Sequence, residues 1–176
     1  MRIFLLFLLS ILIVALQLTV LARLSILAVA PNLILAGVLA WAIYCRENKK
    51  DWLILIPVLF FDLIAGQPFG LATLSLWLVF FCLKELGVIL FKQNDLPAIF
   101  SLTFLGILLF EFFQILLSHL FSVWHLMEPI SLSAFYFYAV LPINLLYNGI
   151  LSLLILWGLN KSRLFNNDDG RLAKFE

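Results

Sequence analysis

Asp62-Leu63-Ile64-Ala65-Gly66-Gln67-Pro68-Phe69-Gly70-Leu71 interrupts an otherwise apolar passage that begins at Trp52 and runs to about Phe91. Whether that passage is one element or two decides the architecture. Pro68 has no N–H to continue a helical ladder, and Gly66 and Gly70 permit turn geometry or close helix approach. The passage therefore divides into two helices, 52–65 and 71–91. Outward from it, apolar runs cover 3–22, 24–45 (with Pro31 inside), 96–124 and 133–159. None shows the sustained two-residue alternation of a strand, and all are too long for one.

Composition agrees with six spans. Of the 176 residues 65% are hydrophobic and 12% charged, with a mean hydropathy of +1.15, far from the balance of a water-soluble domain. Six spans of about 20 residues take up nearly all of those apolar positions. What remains is too little for a separate soluble core. Eleven Lys+Arg stand against ten Asp+Glu with no basic block, which argues against nucleic-acid binding and against disorder. The expected fold is an all-α integral membrane protein, one bundle of six transmembrane helices over 1–159, with a short polar tail over 160–176.

Orientation follows from the basic residues. With a cytoplasmic N-terminus, Arg2, Arg46, Lys49, Lys50, Lys84, Lys92, Lys161, Arg163, Arg171 and Lys174 share one side and Arg23 stands alone on the other. That 10 to 1 split is a strong positive-inside signal and places both termini in the cytoplasm. Five or seven spans would spoil it. Trp41, Trp52 and Trp157 then fall near the inner interface and Trp124 near the outer one. Arg2 and Ala28-Val29-Ala30 resemble parts of a secretory signal. The first apolar run is longer than a signal core, however, and Pro31 follows the would-be cleavage site, so retention as a span is expected. Cys45 and Cys82 have the spacing of neither a metal site nor a redox pair.

In so apolar a chain the informative residues are the polar ones at membrane depth, where an ionised group costs several kcal/mol unless sheltered or paired. Asp62 lies near the end of a third span, Trp52 to Ala65, of only 14 residues, about 21 Å of helix against a hydrocarbon core of about 30 Å. The break after it thus begins inside the outer leaflet. Asp62 either accepts hydrogen bonds from the freed amides of that turn or serves a substrate, ion or proton site at a broken helix. Glu111 lies mid-span with Gln114 and Ser118 on one face, opposite an Asn144, Asn148, Ser152 stripe in the last span. Facing stripes suit interhelical hydrogen bonds; a functional carboxylate is the other reading. His119, His125 and Glu128 approach the outer surface, but His119 is out of register for a shared metal. No Walker loop, phosphate cradle or zinc motif is present, and no Ser–His pair has the setting of an intramembrane protease. Asp62 and Glu111 leave an intramembrane aspartyl-type protease as a remote option. The expectation is a non-enzymatic protein without a cofactor.

Three features resemble the rod shape-determining protein MreD family of bacteria. Pro31-Asn32-Leu33 opens the second span. Residues Asp62 to Leu71 are similar to that family's D-L-x-S-G-x-x-x-G-L turn, with Ala65 where the family usually has Ser and Asn32 where it often has Asp. Asn148-Gly149 lies in the last span, with Lys161 to Arg163 after it. The resemblance implies a multi-pass protein of the bacterial cytoplasmic membrane that supports lateral cell-wall elongation and rod shape. It implies contact with the MreC periplasmic scaffold, with the glycosyltransferase RodA and its transpeptidase, and indirectly with the actin-like cytoskeleton. Pro31, Asn32, Asp62, Gly66, Pro68, Gly70, Glu111, Asn144 and Asn148 are the candidate structural or partner-binding residues, with membrane lipid around them. The alternative is the substrate-binding S component of an energy-coupling-factor vitamin transporter, of similar size and span count, with a ligand pocket near Asp62 and the Gly66–Gly70 turn.

Overall fold

The computed structural model describes residues 2–27, 29–44, 55–90, 96–130 and 132–162. Ala28, Cys45, the charged stretch 46–51, Trp52, Phe91, Lys92 and the basic tail residues Arg163, Arg171 and Lys174 lie outside them. Among the described residues the chain is all-helical, with no strand. Six α-helices follow in order: α1 (Arg2–Thr19), α2 (Leu33–Tyr44), α3 (Leu55–Ile64), α4 (Leu71–Leu90), α5 (Leu96–Val123) and α6 (Leu141–Ser162). A 3-10 turn, Leu21–Leu24, follows α1, and a π turn, Tyr136–Val140, leads into α6. Three stretches, Phe7–Leu24, Leu96–Val123 and Tyr136–Lys161, are long and apolar enough to cross a membrane.

The sequence explains which helix is central. α2, Leu-Ile-Leu-Ala-Gly-Val-Leu-Ala-Trp-Ala-Ile-Tyr, is apolar on every side and has no polar stripe to give to water. A helix of that kind belongs in an interior. Seven of its residues, from Ile34 to Ala42, are buried. It packs against all five other helices, most extensively α6, while α4 joins α3 to α5 and α1 leans on α3. Leu35, Leu39, Val58, Leu76, Val79 and Ile107 are fully buried in the shared core.

The outer helices carry their apolar residues outward. On α5 Phe100, Phe104, Leu108, Phe112, Leu116 and Leu120 recur every four residues and are all exposed. Leu146, Ile150, Leu154 and Trp157, three or four residues apart, are likewise exposed on α6. Gln17, Asp62, Gln114, Ser118, Asn148 and Ser152 are instead buried. Polar groups inside and continuous apolar stripes outside make a surface suited to hydrocarbon rather than water. At one end of α6 the Lys161 ammonium lies 5.1 Å from the centroid of the Trp157 ring, a cation–π contact typical of an interfacial pair.

Helix boundaries follow local chemistry. Pro31 precedes a short α2 rather than kinking a long one, because the helix begins at Leu33. α6 runs on to Ser162, so the first residues of the polar tail expected from 160 onward are helical. The π turn stands immediately before Pro142. A proline ring clashes with the carbonyl four residues back and offers it no N–H, and here the Leu141 N–H bonds to the Tyr136 carbonyl across the wider turn.

Gly106 is where α5 comes closest to its neighbours. A Cβ there would stand 2.5 Å from Leu39 Cδ2 and 2.8 Å from Leu83 Cδ1, and both leucines are buried in the core. Gly106→Ala should lower the thermal midpoint in detergent. Overpacking costs about 1–3 kcal/mol, and the alanine returns about 1 kcal/mol of helix propensity. Gly158→Ala, where a Cβ meets nothing within 4 Å, should leave the midpoint unchanged or raise it.

Candidate functional site

The candidate residues gather at the end of the bundle where α2, α4 and α6 begin. A helix start leaves four backbone amides without intrahelical partners, and in apolar surroundings each needs an acceptor. For α2 every one is found. The Asn32 N–H donates to Asn148 Oδ1 (2.7 Å), that of Leu33 to Gln17 Oε1 (2.7 Å), and those of Ile34 and Leu35 to Asn32 Oδ1 (3.1 and 3.0 Å), after which the Ala36 N–H makes the first intrahelical bond, to the Asn32 carbonyl (2.9 Å). Asn32 is thus an N-cap. Gln17 Nε2 also donates to the Pro31 carbonyl (3.0 Å), so one α1 side chain holds the backbone on both sides of the cap.

α4 solves the same problem differently. Its N-cap position is Gly70, at φ +99°, where glycine suits the backbone but brings no side chain to cap with. Asp62, one helix back, supplies the acceptors. Its carboxylate takes the N–H of Gly70 (3.1 Å), Ala72 (3.1 Å) and Thr73 (2.8 Å) and the Thr73 hydroxyl. The Leu71 and Leu74 amides donate to the carbonyls of Pro68 (3.1 Å) and Gly70 (2.8 Å). Gly66, at φ +71°, turns the chain after α3. Asp62 is 2% exposed, and its carboxyl oxygens face the positive end of the α4 dipole. Of the two readings of Asp62, the hydrogen-bond acceptor of the broken turn is the arrangement found.

Glu111 anchors a second set. Its carboxylate accepts from the Tyr136 hydroxyl and the Asn144 amide. The Asn148 amide donates to Asn144 Oδ1, and Asn148 Oδ1 accepts the Asn32 N–H (2.7 Å). One hydrogen-bonded chain therefore runs from the π turn through α5 and α6 to the start of α2. The expected stripe-to-stripe pairing of α5 with α6 holds only at Glu111 and Asn144. Asn148 turns to α2, which is the main neighbour of α6. Ser118 instead donates to the Ile115 carbonyl (2.8 Å) and accepts the Ile130 N–H (3.2 Å), tying the following loop to α5. Ser152 Oγ has no partner among the described residues.

Pro31, Asn32, Glu111, Asn144 and Asn148 thus form one cluster, and Asp62, Gly66, Pro68 and Gly70 another. A cavity of about 230 Å³ lies between them, with Asn32, Gln67, Glu111 and Gln114 as its polar lining and Phe61 and Phe110 among its walls. Asp62 and Glu111 each have their own donors and share none, unlike a dyad built around one proton. His119 hydrogen-bonds back to the Ile115 carbonyl (2.8 Å). Among the described residues no three His, Cys, Asp or Glu are placed to hold a metal.

Gln17, Thr73 and Tyr136 are site residues that the sequence reading passed over. Gln17 had a visible signal, a lone carboxamide deep in the first apolar run. The role of Tyr136 depends on the π turn before Pro142, which hydropathy does not register. Comparison with protein-family models, curated proteins and solved structures returns no match to the chain.

Asp62→Leu would strip acceptors from three backbone amides and a hydroxyl at roughly 1–3 kcal/mol each. It should sharply reduce the monodisperse fraction recovered in detergent, with Asp62→Asn falling between it and wild type. Wild-type recovery of Asp62→Leu together with lost cellular function would show that the carboxylate acts on something other than the α4 amides.

Proposed function

We propose that this chain is a six-span protein of the bacterial cytoplasmic membrane, both termini inside, that works without catalysis as a scaffold in lateral cell-wall elongation, as its resemblance to the MreD family implies. The observation that carries this reading is the Asp62–Gly70 turn. Its family-like residues have a coherent physical role, with Asp62 holding the start of α4 and the two glycines at positive φ. A non-catalytic role is supported by the carboxylates, whose hydrogen bonds go to structural donors on other elements. Long apolar helices with outward-facing stripes suit a protein that meets partners through helix faces and short loops in the bilayer.

One observation favours a second reading, the S component of an energy-coupling-factor transporter. The cavity beside the Gly66–Gly70 turn lies where that reading puts its ligand.

Affinity purification from the native host in mild detergent tests the first reading. An MreC-type single-span scaffold should be recovered with the wild-type chain. Gly66→Leu and Gly70→Leu should reduce that recovery several-fold per folded molecule, because a side chain at either positive φ must reshape the outer turn. Recovery of a pair of transporter ATPases instead would replace the scaffold reading with the second one.

A further inference from the structure

Gln114 is a buried polar side chain that the fold leaves unused. It is 9% exposed, and its amide has no hydrogen-bond partner among the described residues. It stands one turn beyond Glu111 on α5 and lines the same cavity. Asn32 Oδ1 accepts from two α2 amides, while its Nδ2 has no acceptor among the described residues. Gln67 adds a third carboxamide from the α3–α4 turn. The start of α2, the α3–α4 turn and α5 thus each bring a carboxamide to one space.

The lining also selects the chemistry of what enters. It includes a carboxylate and no Lys, Arg or His, which disfavours an anion. Glu111 is the single carboxylate on that lining, and among the described residues no three His, Cys, Asp or Glu stand together to hold a metal ion. What it offers is carboxamides, each able to donate and accept at once. A hydroxyl, which does the same, is their complement. Phe61 and Phe110 supply faces for the C–H side of such a molecule. The volume of about 230 Å³ exceeds the roughly 150 Å³ of a cavity that takes a benzene, which leaves room for a six-membered ring with its hydroxyls.

We propose that this cavity is a binding site for a neutral, hydroxyl-bearing group of about the size of one sugar or polyol ring, held by the carboxamides of Gln114 and Gln67. The group comes either from a free polyol or from the head of a lipid. The site goes beyond the scaffold reading and does not depend on it.

The test uses the full chain in phosphatidylcholine nanodiscs, whose head group carries no hydroxyl. The thermal midpoint is measured with dissolved glycerol, myo-inositol or glucose, and separately with monoglucosyl diacylglycerol in the disc. At least one probe should raise the wild-type midpoint by about 3 °C or more, and Gln114→Leu should abolish that rise. A rise with a dissolved polyol identifies a soluble ligand; a rise with the glucolipid alone identifies a lipid head. If Gln114→Leu does not fold, Gln67→Leu, at the exposed rim, takes its place in the comparison. No rise with any probe, or an equal rise in wild type and variant, overturns the site. Neither result bears on partner recovery, so the scaffold reading stands or falls separately.

Discussion

Every helix that starts inside an apolar medium must find acceptors for its first amides, and this requirement organises the molecule. Water satisfies them cheaply at the surface of a soluble protein. Here α2 and α4 start among side chains, and protein oxygens take all of the first four amides of each. The acceptors come from their own caps, from the preceding turn and, decisively, from Gln17 on α1 and Asp62 on α3. Each is a cross-link between helices as well as a cap. Apolar packing alone distinguishes poorly between one helix arrangement and another in hydrocarbon, because lipid tails are as apolar as leucine. Directional bonds to particular amides distinguish well.

The same logic explains the polar residues that do not cap. Glu111, Asn144 and Asn148 pass hydrogen bonds along until they reach the Asn32 N–H. A buried polar network favours a unique packing when its members are satisfied and is costly when they are not. Ser152 Oγ is left without a partner among the described residues, whereas Gln114 opens onto the cavity.

Much of this was legible in the residues. The apolar runs, the division at Gly66 to Gly70 and the importance of Asp62, Asn32 and Asn148 all follow from where polar groups interrupt hydrocarbon-like sequence. All six helices end, and α1, α3, α4 and α5 also begin, within a few residues of the run boundaries, since a helix ends where its composition changes. α6 begins at Leu141, after the π turn, rather than at 133, and α2 departs further. Hydropathy starts it at Leu24, whereas the stretch before Pro31 holds a 3-10 turn and a paired Ile26 and Val29. Those residues are as apolar as a span, so periodicity has nothing to read. The partner of each polar group was hidden for a similar reason. Asn148 lies on a stripe with Asn144 and Ser152, and nothing in that spacing says that it turns to α2 rather than α5. Cross-helix partners depend on which helices are neighbours, and in a bundle of uniformly apolar segments that choice is not written in any one segment.

The bond between Asn148 and the Asn32 N–H joins residues 116 positions apart, and this has a consequence for biogenesis. Synthesis proceeds in chain order, so the start of α2 is made long before its last acceptor. Until α6 is in place the Asn32 N–H lacks the Asn148 oxygen and the central helix lacks its main neighbour. The polar chain therefore closes last, and its closure distinguishes a finished molecule from a truncated one. A chain that stops short of α6 leaves the start of its central helix with an unpaired amide.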